Sequence, residues 1–134
     1  MRILGIDYGS SRVGIALGDT DAPLASAWMV LQNKGEDSLI SEIQDVVKRE
    51  MAEKVVVGIP RPFANQSAAN DQVRDIFAFV EKLRATGLDV DTFDESLTSR
   101  IASQQAHESG RKGSQDDLAA ASMLQGWLDR NVRE

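Results

Sequence analysis

Residues Lys54 to Ile59 carry Val55, Val56, Val57 and Ile59 without the polar alternation of a strand that has one wet face. A strand of this composition lies inside a sheet covered on both sides, so the rest of the chain must supply two layers. Pro60 and Pro62 then close the run, because proline cannot donate to a ladder. The flanking segments supply helices. From Asp37 to Met51 the apolar residues Leu39, Ile40, Ile43, Val46, Val47 and Met51 recur at intervals of three and four. Glu36 and Asp37 stand at its start and Lys48 and Arg49 in its last turn, the charge order that a helix dipole favours. Ser67 to Thr86 repeats the pattern with Val73, Ile76, Phe77, Val80 and Leu83, and Gly87 stops it before a short strand from Leu88 to Phe93. Strand, helix and strand in that order predict a parallel crossover.

Ahead of this unit, Arg2 to Asp7 and Arg12 to Gly18 are two apolar runs joined by Tyr8-Gly9-Ser10-Ser11, which reads as a hairpin. A third strand is expected from Ala25 to Leu31, after the break at Asp21-Ala22-Pro23. Behind the unit, Leu97 to His107 and Asp116 to Arg130 read as helices. The polar stretch from Glu108 to Ser114 between them is expected to be a mobile loop. The sum is one α/β domain over 1–134, with a mixed five-stranded sheet, three antiparallel strands followed by parallel strands, flanked by helices.

Composition narrows the chemistry. The chain has no cysteine and one histidine, His107, which removes disulfides, thiolate metal sites and Cys nucleophiles and argues against zinc sites and His-based triads. His107 reads as an exposed helix-end residue. No apolar run approaches the roughly 18 residues of a membrane span, and Asp7 interrupts the first apolar stretch, so a cytoplasmic protein without a signal peptide or membrane contact is expected. The formal charge of −6 does not by itself point to nucleic acid, although a local basic patch is compatible with it. Aromatics make up 5% of the residues, so Trp28, Trp127, Phe77 and Phe79 are assigned to packing rather than to base stacking.

Chemistry must therefore come mainly from carboxylates. Asp7 closes the first strand, Asp94 and Glu95 follow the strand ending near Phe93, and Asp116 or Asp117 opens the last helix. Ligands of open α/β sheets bind at the carboxyl ends of the strands, where these acids are expected to converge. Convergent carboxylates repel unless a hard cation such as Mg²⁺ or Mn²⁺ neutralises them, and a pair of such ions assists phosphodiester hydrolysis. Plain roles compete: Asp7 as a turn residue, Asp94 and Glu95 as a solvated strand end, Asp116 as an N-cap and Asp117 as a complement to the dipole. Arg111 and Lys112 are either a solvated loop or a grip on a phosphate backbone.

Read together, Gly5-Ile6-Asp7-Tyr8-Gly9, Arg12, Gly14, Ala16, Asp19, Val56-Val57-Gly58-Ile59-Pro60, Asp94-Glu95, Leu97-Thr98-Ser99, Asp116, Ala119-Ala120 and Leu124-Gln125 closely resemble the YqgF/RuvX family along essentially the whole chain. These are Holliday-junction-resolvase-like proteins to which nuclease action on pre-16S rRNA is ascribed. The resemblance implies an RNase H-like fold and metal-dependent phosphodiester hydrolysis, in processing of the 5′ end of pre-16S rRNA. It puts the metal-binding acids at Asp7, Glu95 and Asp116, holding two Mg²⁺ or Mn²⁺ ions, with Asp116 chosen because it stands three residues before Ala119. Arg12, Arg61, Arg100, Arg111 and Lys112 become candidate phosphate contacts, of which Arg12 sits on a family motif.

The chain departs from the family at Arg61 to Ser67, at Ser96 where arginine is common, and at Gly113 where related resolvases place a fourth acid. The implied partner is nucleic acid, RNA or branched DNA, and the resolvase alternative would make the protein a homodimer. Two other readings are a non-catalytic module that binds RNA or an assembly factor, and an actin-like nucleotide-binding opening. The second of these needs two such domains, and 134 residues supply one.

Overall fold

The computed structural model describes residues 1–60, 67–95 and 115–132. The apolar runs become β1 (Arg2–Asp7), β2 (Arg12–Asp19), β3 (Ser26–Gln32), β4 (Lys54–Pro60) and β5 (Val90–Glu95). The helices are α1 (Glu36–Glu50), α2 (Ser67–Ala85) and α3 (Gln115–Asn131). The strands form one five-stranded sheet in the order β3-β2-β1-β4-β5. β1 pairs antiparallel with β2 and β2 with β3, whereas β1, β4 and β5 run parallel.

The valine run of β4 divides as a doubly covered strand requires. Val55, Val57 and Ile59 join Leu4, Ile6, Val13 and Ile15 in one layer, packed by Leu39, Ile43, Val46 and Val47 of α1 and Ile76, Phe79, Val80 and Leu83 of α2. Val56 turns the other way and joins Ile3 and Ala16 beneath Ala120, Met123, Leu124, Trp127 and Leu128 of α3. Each layer follows from alternation on the strands meeting a three-four stripe on a helix.

The α3 layer is thin because its floor is made of small residues. A methyl on Gly5 would lie 2.9 Å from Leu124 Cβ, and one on Gly18 3.0 Å from Leu128 Cδ1. On the helix, a methyl on Gly126 would lie 2.9 Å from the Phe93 ring. Two polar contacts tie the helix laterally. The Gln125 amide accepts from the Ala25 N–H at 2.8 Å and donates to the Pro23 carbonyl at 2.9 Å, while Trp127 Nε1–H donates to Asp91 Oδ2 at 2.8 Å.

Two expectations change. β5 begins at Val90 and includes Asp94 and Glu95, because β4 continues through Pro60 and pairs with Glu95. The two residues before it are held otherwise, Asp89 by Lys54 at 3.0 Å and the corner by Arg84, which donates to the Val90 carbonyl. Trp28 and Phe77 do not enter the core, being 46% and 47% exposed, while Trp127 and Phe79 do. Trp28 is the extra residue of a bulge: Ile15 pairs with Met29 and Ala16 with Ala27. The helix expected at 97–107 and the loop at 108–114 lie outside the described residues. Among the described residues no helix is long and apolar enough to cross a membrane.

Replacing Gly5 with alanine should force β1 and α3 apart, since the opposing Leu124 Cβ cannot rotate away. The expected loss is about 1–3 kcal/mol of unfolding free energy, read as a lower midpoint in urea with an unchanged slope.

Candidate active site at the carboxyl edge of the sheet

Asp7 is the last residue of β1, partly buried and paired across the ladder with Gly14. Glu95 is the last residue of β5, opposite Pro60. Since the two strands are parallel to β4, both acids stand at the carboxyl edge. Ile6 pairs with Val57 and Gly58 with Phe93, which puts Asp7 level with Phe93. Position 95 is therefore two residues farther along the strand direction, about 7 Å, and two strands across, about 10 Å. Both positions belong to the same alternation class as Ile3, Gly5, Val56 and Phe93, the class covered by α3.

The course of α3 supplies the third acid. Gly5 lies under Leu124, and Gly18, which pairs with Ile3, lies under Leu128, so the helix runs antiparallel to β1. Moving back eight residues from Leu124 to Asp116 covers about 12 Å of helix axis, whereas Gly5 to Asp7 covers only about 7 Å. The first turn of α3 thus begins beyond Asp7, at the level of the strand ends. Positions 116 and 117 both continue the helix stripe of Ala120, Met123 and Leu124. The backbone brings Asp7, the end of β5 and the start of α3 to the carboxyl edge of the sheet. Among the described residues, no three acid or histidine side chains gather as a metal cage.

The turn after Asp7 is tightly specified. A side chain on Gly9 would collide with the Arg12 carbonyl, so only glycine fits. Tyr8, alternating with Asp7, turns into the opposite layer and packs on Phe79 at 4.6 Å between ring centroids. Arg12 stands exposed where the chain enters β2, opposite Gln32. Asn33 clamps this corner: its Nδ2–H donates to the Gly9 carbonyl at 2.8 Å, its Oδ1 accepts from the Gly35 N–H at 3.2 Å, and its own N–H donates to the Ser11 carbonyl at 2.9 Å. The sequence reading missed Asn33; its signal was an asparagine between a strand and a glycine, where its amide favours local backbone bonding.

Of the candidate phosphate contacts, Arg12 is at this edge, and Arg61, Arg100, Arg111 and Lys112 lie outside the described residues, as does His107. Several cations elsewhere are matched by carboxylates. At the opposite edge Arg2 faces Glu50 at 3.5 Å and Lys54 faces Asp89 at 3.0 Å. Near α1, Lys82 bonds Glu36 at 2.6 Å, and this hydrogen bond, with the carboxylate charge behind it, raises the lysine above its ordinary pKa.

Asn33→Ala leaves the Gly9 carbonyl and the Gly35 N–H without their partner. It should cost about 1–3 kcal/mol, measured by urea unfolding, with faster hydrogen exchange at the Gly35 amide.

The chain matches, over residues 1–130, the family described as "RuvX: Holliday junction resolvase". A relative from Thermus thermophilus, named "Putative pre-16S rRNA nuclease", is 34% identical over 138 residues, covering 98% of this chain and 100% of its own length. In fold the chain is similar to T. thermophilus RuvC in complex with a Holliday junction substrate, with a TM-score of 0.66, 15% identity and coverage of 99% and 97%. The fowlpox virus Holliday junction resolvase follows, with a TM-score of 0.58, 12% identity and coverage of 97% and 99%.

Proposed function

The chain belongs to the RuvX family of Holliday-junction-resolvase-like proteins and has their RNase H-like fold, and from that premise we propose that it is a metal-dependent nuclease acting on the 5′ end of pre-16S rRNA. The observation that carries the proposal is the arrival of Asp7, the end of β5 and the start of α3 at the carboxyl edge of the sheet. The donor set fits hard divalent ions, being all oxygen, with no cysteine in the chain. Asp7, Glu95 and Asp116 would hold two ions, Mg²⁺ or Mn²⁺. When bound, such ions offset the repulsion of the carboxylates and stabilise charge on the oxygens of the phosphodiester under attack.

The chain's own residues do the rest. The ladder bonds of β1 to β2 and β4 support this role for Asp7, and the close seat of α3 on Gly5 supports it for the start of that helix. The exposed guanidinium of Arg12 meets substrate phosphate beside the acids. Arg61, Arg100, Arg111 and Lys112 extend that contact along the strand of nucleic acid. RNA is the substrate class in this reading because the relatives of similar length carry that assignment in their names.

Cleavage of a pre-16S leader RNA, an unstructured RNA and a four-way DNA junction, each with Mg²⁺ or Mn²⁺, tests the proposal. Asp7→Asn and Asp116→Asn should each reduce leader cleavage by more than about 100-fold, beyond the cost of losing an outer-shell partner, with unchanged circular dichroism. Divalent ion should raise the melting temperature of the parent protein and not that of Asp7→Asn. Undiminished cleavage by the asparagine variants would reject the mechanism, and cleavage confined to the junction would reassign the substrate.

A further inference from the structure

A nuclease with an acidic centre must attract a polyanion to a chain whose formal charge is −6, so the cations around that centre decide how the strand is held. At the corner between β3 and α1, Gln32 pairs with Arg12 and the Asn33 N–H bonds the Ser11 carbonyl. Lys34 is the next residue, one step beyond the β1–β2 turn. Gly35, with φ +127°, then reverses the chain into α1 and leaves Lys34 exposed at the corner. The bonds from Asn33 to Gly9 and Gly35 hold the main chain on both sides of it.

Among the described lysines, Lys34 and Lys48 have no carboxylate within 4 Å, and of the two Lys34 stands at the edge where β1 ends. Arg2, Lys54, Lys82 and Arg84 each face a carboxylate within 4 Å. Lys34 has no ion pair among the described residues, and the carboxylate two residues away, Glu36, is engaged by Lys82 at 2.6 Å. We infer that Lys34 is a contact for nucleic-acid phosphate, set beside Arg12 on the corner that Asn33 holds, so that the bound strand leaves the acidic edge across the β1–β2 turn. The inference rests on the nuclease reading and names a part of its substrate surface. A solvated lysine without a ligand is the competing account, and the two differ in their response to salt.

Binding of the full-length protein to a fluorescently labelled single-stranded RNA is followed by anisotropy, in EDTA to prevent turnover, over a series of KCl concentrations. Each phosphate contact contributes about 0.7 to the slope of log affinity against log salt on a single strand. Lys34→Ala should reduce the slope by about that amount, weakening binding at low salt and converging with the parent at high salt; Lys34→Arg should restore it. Lys48→Ala, an exposed lysine in the last turn of α1 at the far edge, should leave the slope unchanged. An unchanged slope for Lys34→Ala, or an equal drop for Lys48→Ala, overturns the inference. Its failure is separable from that of the nuclease reading: loss of cleavage in Asp7→Asn with no slope change at Lys34 sinks only the contact. A slope change at Lys34 without any metal-dependent cleavage keeps the contact and removes the enzyme.

Discussion

The seat of α3 on β1 governs the geometry of this molecule. A helix normally stands off a sheet by the thickness of two side chains, but here Gly5 and Gly18 below and Gly126 above remove part of that thickness. Leu124 and Leu128 descend onto main chain, and the axial position of the helix is thereby locked to individual strand residues rather than to a general apolar surface. Because α3 begins with the acid-bearing turn, the lock is transmitted along a rigid rod to the sheet edge. Close packing, with the lateral bonds of Gln125 and Trp127, sets the seat of this helix; no polar side chain is buried among the described residues.

Much of this was legible in the sequence because period and burial agree. The unbroken valines of β4, the three-four stripes of α1 and α2 and the two-residue period of β2 each had one physical solution, and the sheet adopts it. The extent of β5 was not legible, because Asp94 and Glu95 look like a strand's solvated end until β4 is seen to continue to Pro60 and offer them a partner. Trp28 was misread since composition cannot show a bulge: one additional residue opposite β2 turns an aromatic outward. At the carboxyl edge, the place of Asp7 at the end of β1 was legible, whereas the clamp at Asn33 was not. Its role depends on three main-chain partners, two of them in a turn more than twenty residues earlier.

Charge follows the same logic of placement. The edge where β1 starts is internally neutralised, with Arg2, Lys54 and the terminal ammonium against Glu50, Asp89 and Asp19. The carboxyl of Asp19 lies below the ordinary range mainly because it accepts the Asp21 N–H, with the terminal charge reinforcing this against a desolvation cost. The opposite edge carries Asp7 at the end of β1, with Arg12 and Lys34 exposed near it. A net total therefore says little of how charge is placed, because the field near a strand end follows the groups that stand there.

The bulge at Trp28 has a consequence for how the molecule meets others of its kind. β3 is an outer strand with an uncharged sequence from Ser26 to Gln32, the sort of border on which foreign strands can be templated. With Trp28 out of step, the outward amides on either side of it no longer keep one rhythm, and an incoming strand that matched Met29 to Gln32 would be out of phase at Ala27. A bulge of this kind is among the devices by which edge strands limit the pairing of foreign strands.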